Sequence, residues 1–141
     1  MDQNLKNHGR YIPLWHYVVP LLIGGLLGWG IVDFTDHHLG VHLLGARMIV
    51  ISLVLLLLWW YARWFALRAQ DRAIRAEENL RHFILTGKSF PKELRLGQII
   101  ALRFAGDEEF PALVKRAVDE KLSSIQIKAE IRNWRADHNR V

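Results

Sequence analysis

The sequence predicts an all-α fold: a transmembrane helical hairpin whose second helix extends into a small cytoplasmic helical tail domain. Three observations carry that expectation. Residues 11–32 contain no Lys, Arg, Asp or Glu, and Met48–Ala62 is a second charge-free run. Beyond them the chain is densely charged, with apolar residues at helical spacing and no strand pattern. At about 1.5 Å per residue the first run reaches roughly 33 Å, enough to cross the hydrocarbon layer of a bilayer. The second attains the same length when Val41–Arg47 is added, with Arg47 near the boundary and its guanidinium snorkelling back to the headgroups. The spans are therefore placed at about 11–32 and 43–64, with a membrane hairpin over 1–62 and a cytoplasmic tail over 63–141.

Composition bounds the rest. With 51% apolar residues, 141 positions suffice for one membrane unit and one small soluble unit. A signal peptide competes for the first run, since Lys6 and Arg10 precede it. The run is longer than a signal core of about 7–15 residues, and no small-x-small cleavage site follows Trp29-Gly30-Ile31-Val32. The absence of cysteine excludes disulfides, thiolate nucleophiles, cysteine-ligated clusters and thiol-tethered haem. Lys6 and Arg10 before the first span, and Arg63, Arg68, Arg72, Arg75 and Arg81 after the second, outweigh the lone Arg47 between them, which predicts both termini in the cytoplasm. Formal charge agrees: +1 over 1–10, −1 over 33–47 and +5 over 63–141. Tyr11, Trp15, Trp59, Trp60, Tyr61 and Trp64 collect at the cytoplasmic interface, and Trp29 and Phe34 mark the outer one.

Taken in order, Pro13 suits the first turn of span one, where a missing amide hydrogen costs little. Pro20 lies inside the span, removes the backbone bond to residue 16 and predicts a bend. Gly24 and Gly28 form a G-x-x-x-G pair, a face for span two or for a dimer contact. From Met48 to Leu85 there is neither Gly nor Pro, so one helix of 38 residues can leave the bilayer and continue. Its seam, Trp59, Ala62, Ala66, Ala69, Ala73, Ala76, Leu80 and Phe83, steps by three and four residues and is expected to pack on the protein's own tail or on a partner or second copy. Gly87 serves as a left-handed cap and Pro91 stops the helix. Three short helices follow. Leu96, Ile99 and Ile100 start the first, closed by Gly106. Asp107 caps the second, with Glu108 and Glu109 at its positive end, Pro111 in its first turn and Phe110, Leu113, Val114, Ala117 and Val118 inward. Ser123 or Ser124 caps the third, Ser123 forming a capping box with Gln126, and Ile127, Ile131 and Trp134 face inward.

Several segments carry a resemblance. Asn7-His8 leading to Arg10-Tyr11 and Pro13, Phe65-Ala66-Leu67-Arg68-Ala69-Gln70-Asp71-Arg72, Ile74-Arg75-Ala76-Glu77-Glu78, Leu102-Arg103-Phe104-Ala105, Asp107-Glu108-Glu109-Phe110-Pro111 and Asn133-Trp134-Arg135-Ala136-Asp137-His138 together resemble an uncharacterised family of small bacterial two-span inner-membrane proteins. The resemblance covers nearly the whole chain. It implies a bacterial inner-membrane setting and carries over no catalytic or binding residue.

Candidate chemistry is sparse. Gly87-Lys88-Ser89 fails as a phosphate loop, because the motif needs Gly at position 82, where the chain has His82, and a strand before it. His37, His38 and His42, with Asp33 and Asp36, have one-turn spacings that could grip zinc or a similar ion if the segment is helical; a solvated polar loop is the plainer account. His16, alone inside an apolar span, could ligate a haem or chlorophyll-type pigment, or simply lie at the interface beside Trp15 and Tyr17. Arg68, Arg72 and Arg75 form one cationic face and Lys128, Arg132 and Arg135 another. Such stripes bind phosphates, and proximity to the bilayer favours anionic lipid over nucleic acid read by a helix over 128–140. Asp71 with Arg75 and Glu77 with Arg81 are read as one-turn ion pairs, and four serines and two threonines form no nucleophile motif. The expected function is non-enzymatic and cofactor-free: a membrane-anchored adaptor or accessory subunit, with Arg103, Asp107, Glu108, Trp134, Arg135 and Asp137 holding the tail together or facing a partner. A metal- or pigment-holding subunit is the alternative, and a nucleic-acid tether the third.

Overall fold

The computed structural model describes residues 11–136. Lys6, Arg10 and Asp137 fall outside the described residues. After a π-helical turn at Leu14–Val18 come α1 (Val19–Phe34), α2 (Leu39–Thr86), α3 (Leu96–Leu102), α4 (Phe110–Asp119) and α5 (Ser124–Glu130). Among the described residues there is no named strand, and the chain is all-α. The described residues divide into two compact units, 11–66 and 67–136, and α2 contributes to both.

In the first unit the disturbance expected at Pro20 takes the form of the π-helical turn just before it. The Val19 N–H bonds to Leu14 O, five residues back, and Pro20 stands in the first turn of α1, where no amide hydrogen is required. α1 ends as Thr35 Oγ1 donates to Val32 O (2.7 Å), and Asp36 Oδ1 accepts the His38 N–H (2.7 Å) in the short connection to α2. The second helix starts at Leu39, earlier than the span boundary at 43, and runs through Gly40 and Gly45 with no proline to interrupt it.

The two helices of this unit fold back on each other, with Trp59 Nε1 donating to Trp15 O at 3.0 Å and the indoles stacked at 6.2 Å. Its buried residues are Ile23, Gly30, Gly45 and Ser52. A Cβ on Gly45 would run into Phe34 N and lie 2.7 Å from Gly30 O; one on Gly30 would meet Met48 Cβ at 3.0 Å. The crossing therefore depends on glycines on both helices, as in close-packed helix pairs generally. Gly24 and Gly28 do not take that role: nothing lies within 4 Å of a Cβ built at either, and both face outward. Ser52, buried at 0% exposure, satisfies its hydroxyl on Met48 O (2.7 Å).

The second unit has an ordinary core. Ile99, Leu102, Phe104, Phe110, Val114 and Ile127 are fully buried, each large side chain contributing about 1.5–3 kcal/mol. α3 packs on both α5 and α4. The face of α2 that closes this core is Ile74, Glu78 and His82, all buried. The seam expected to pack on the tail does not: Ala69, Ala73, Ala76, Leu80 and Phe83 are exposed, and in the first unit Ala62 is exposed and Ala66 half-buried. Packing selected the opposite face because His82 inserts its ring against Phe90 (5.0 Å) and Phe110 (6.2 Å).

Helix ends explain further departures. Gly87, at φ 71°, caps α2 as expected, its N–H bonding to Phe83 O at 2.7 Å. Gly106 is not a helix cap. Its N–H bonds to Asn133 O, and a Cβ there would press on Asn133 at 3.2 Å. Asp107 does not cap α4, whose N-cap residue is Glu109 with no side-chain capping bond. α4 ends in a Schellman motif with Leu122 N–H to Ala117 O and Lys121 N–H to Val118 O, Lys121 taking the left-handed φ of 53°. Ser123 and Gln126 form the expected capping box. α5 stops at Glu130 with Ile131 extended, so the reader helix over 128–140 does not form as far as Ala136.

Candidate functional site

Within the second unit the chain's most polar stretches converge on the end of α2. Arg81 is the hub. Its Nε donates to Asp107 Oδ1 (2.7 Å), Nη1 to Glu78 Oε2 (2.9 Å) and Nη2 to Ala105 O (2.7 Å), while the guanidinium lies 4.2 Å over the Phe110 ring. The expected pairing of Arg81 with Glu77 is replaced by Glu78, which shares the buried face. Burial pushes the Glu78 carboxyl above its ordinary range, and the hydrogen bond and charge of Arg81 only partly offset that. Next to it, His82 Nδ1 donates to Lys88 O (2.7 Å), and Asn79 Oδ1 accepts the Phe90 N–H (2.7 Å), tying the connection after α2 to the helix.

The C-terminal motif returns to the same place. Arg135 N–H donates to Phe104 O (2.8 Å) and Gly106 N–H to Asn133 O (2.9 Å), forming an isolated antiparallel bridge between Ala105 and Trp134. Trp134 packs on Phe104 at 5.1 Å, with the Arg103 guanidinium 4.5 Å and the Lys128 ammonium 5.6 Å over that ring. Glu109 accepts the N–H groups of Arg132 (3.2 Å) and Asn133 (3.0 Å). Of the tail residues singled out in the sequence, Arg103, Asp107, Trp134 and Arg135 thus meet in one node, and Glu108 stands at its exposed edge. Glu78, His82 and Gln98 are the additions. Gln98 Nε2 bonds both Ala117 O (2.8 Å) and Leu122 O (2.9 Å), joining α3 to the end of α4.

Beside the node a cleft of about 590 Å³ is lined by Glu108, Glu109, Arg116, Glu130, Arg132 and Asn133. Arg116 pairs with Glu120 (2.8 Å) and Glu130 (2.8 Å), and its guanidinium holds the Glu120 carboxyl below the usual range. Glu109 is held by backbone donors and Glu120 and Glu130 by Arg116, while Glu108 is exposed.

The ligand-holding candidates lie in the first unit. His42 Nδ1 donates to Phe34 O (2.6 Å) and its ring stacks on Phe34 at 4.2 Å. His37 and His38 sit in the connection before α2, so the metal set expected from His37, His38 and His42 is not assembled: among the described residues no three His, Cys, Asp or Glu side chains converge. His16 Nδ1 lies 2.9 Å from Ile12 O and 3.1 Å from Ile12 N, engaged with its own turn. Arg68, Arg72 and Arg75 are exposed, as are Arg132 and Arg135, while Lys128 is half-buried against Phe104.

Fold and site define an all-helical chain with two helices long and apolar enough to cross a membrane and a packed helical unit built around an arginine hub. The chain belongs to a family of unknown function, DUF6526, whose model matches residues 1–141. No curated protein and no solved structure matches it.

Proposed function

We propose that the protein is a non-enzymatic, membrane-anchored adaptor or accessory subunit of the bacterial inner membrane, crossing the bilayer twice with both termini in the cytoplasm and presenting its helical tail to a partner. One observation carries this. Each apolar window is only 11% buried, whereas a core helix of a soluble protein is mostly buried. Leu21, Leu22, Val32, Val50, Leu57 and Leu58 all point outward, a surface that water penalises and hydrocarbon does not. The basic residues after the second span support the orientation. Exposed Arg68, Arg72 and Arg75 suit an anionic leaflet, at about 1 kcal/mol for each basic residue near the surface.

The test is a pair of reporters fused after Val141, one active only in the cytosol and one only outside it, together with alkaline carbonate extraction. Cytosolic activity and retention in the membrane are expected. Activity outside the cytosol, or release by carbonate, overturns the placement. For the adaptor role, purification in mild detergent should retain a stoichiometric protein that is lost on charge reversal of Glu108 or Arg135. Recovery of the chain alone counts against it.

A further inference from the structure

The tail buries one face of α2 and leaves the opposite one bare, and the bare face has the order of a coiled coil. Ala69, Ala73, Ala76, Leu80 and Phe83 recur at steps of four and three and so occupy the d, a, d, a and d positions of successive heptads. Most intramolecular contacts use the outer positions of a two-stranded coiled coil: Ile74 and Arg81 at b, His82 at c and Glu78 at f. Asn79, at the flanking g position, bonds the Phe90 N–H. The a/d face keeps Leu80 59% and Phe83 51% exposed, with Ile84 beside them at 73%. Three large apolar side chains side by side on a charged helix are the kind of patch a second helix covers.

We infer that this face is the interface of a parallel, in-register homodimer. Charge complementarity selects a second copy of the chain. In a parallel pair, a g residue of one helix meets the e residue five positions on in its partner. Arg72 is the g residue and Glu77 lies five positions later at e, both exposed. Two identical chains therefore form the Arg72–Glu77 contact twice, once on each side of the seam. Register depends on these pairs and on Leu80 and Phe83, because alanines bring backbones close but bury little area. The inference stands on the tail and does not require the proposed adaptor role.

The chain has no cysteine, so single-cysteine variants of the full-length protein in native vesicles report the contact directly. Ala76→Cys lies on the seam and Arg75→Cys at the outer c position, both exposed. Mild oxidation should link Ala76→Cys chains into dimers at least about tenfold more efficiently than Arg75→Cys chains, because only facing seam positions meet disulfide geometry. In the Ala76→Cys background, Arg72→Glu or Glu77→Arg alone should weaken dimerisation about tenfold, each turning two attractive pairs into two repulsive ones. The double reversal should restore it. Equal linkage at 75 and 76, no linkage at 76, or a double variant as weak as the single ones overturns the parallel homodimer; no linkage at 76 instead points to a different protein or the lipid surface as what covers the face.

Discussion

Glu78 and Arg81 show how burial and pairing compete at a single position. Their ion pair is short, at 2.9 Å, yet the Glu78 carboxyl is raised above its ordinary value of 4.5 because removal from water outweighs what Arg81 returns. A carboxyl with a raised folded-state value binds its proton more tightly when folded. Its stabilising share is therefore complete at pH below the unfolded value and is lost as pH rises through the folded one. Glu78→Gln removes that titration and keeps an oxygen for Arg81 Nη1. Thermal unfolding of variant and parent between pH 4 and pH 7 should show the variant gaining on the parent as pH rises; a gap that stays constant or narrows would contradict the assignment. Sequence spacing pointed to Glu77 as the partner of Arg81, since four residues separate them. Which of two adjacent glutamates pairs with the arginine depends on which side of α2 the tail covers, and that is settled by His82, Phe90 and Phe110, whose contacts no local pattern records. Asp107 was misplaced for the same reason: as a cap it needs only α4, whereas its partner is 26 residues away.

At the scale of elements, the crossing in the first unit turns on a glycine from each helix. G-x-x-x-G is a rule about one helix surface, and it drew attention to Gly24 and Gly28. The pair that matters, Gly30 and Gly45, depends on hairpin register, which the turn over 35–38 sets and helical periodicity does not. Gly45→Ala places a methyl against backbone atoms of Phe34 and Asp33, which have no rotamer to give way, so the helices must separate. A cost of about 1–3 kcal/mol is expected, as for overpacking generally. Gly24→Ala meets open space and should leave the hairpin within about 0.5 kcal/mol of the parent. Thermal or denaturant unfolding in detergent separates the two, and equal losses would mean that the close approach at Gly45 does not hold the pair. The C-terminal end of α2 and its Gly87 cap were legible, since glycine in a left-handed cap is a local signal; its start at Leu39 was not. The end of α5 was not. Trp134 continues the helical spacing of Ile127 and Ile131, but it is claimed by the bridge to Ala105 and by Phe104.

Across the whole molecule, the all-α class and the two long apolar helices were legible because they rest on long averages: runs without charge, then charge mixed with helical periodicity. The convergence of Arg81, Phe104, Asp107 and Trp134 was legible only as a set of polar and aromatic segments worth noting, because contacts between residues far apart in sequence depend on the packing of α3, α4 and α5. The two units differ in how they are stabilised. The 11–66 unit buries four residues and turns most of its leucines outward; the 67–136 unit holds a connected core from Ile74 to Ile131 with Trp134 packed against it. A unit with its own core should fold without the other, and one lacking a core should need a hydrocarbon solvent. Expressed alone, residues 67–141 should be soluble without detergent and melt cooperatively, whereas residues 11–66 should stay in the detergent fraction. Trp134 is the single tryptophan after residue 66, so its fluorescence reports the node directly, while far-ultraviolet circular dichroism reports the helices. Coincident transitions by the two probes are the expected result for one cooperative unit. Loss of the Trp134 signal well before the helical signal would mean that the node is peripheral to the core, and a 67–141 segment without any transition would place the source of its stability in the first 66 residues.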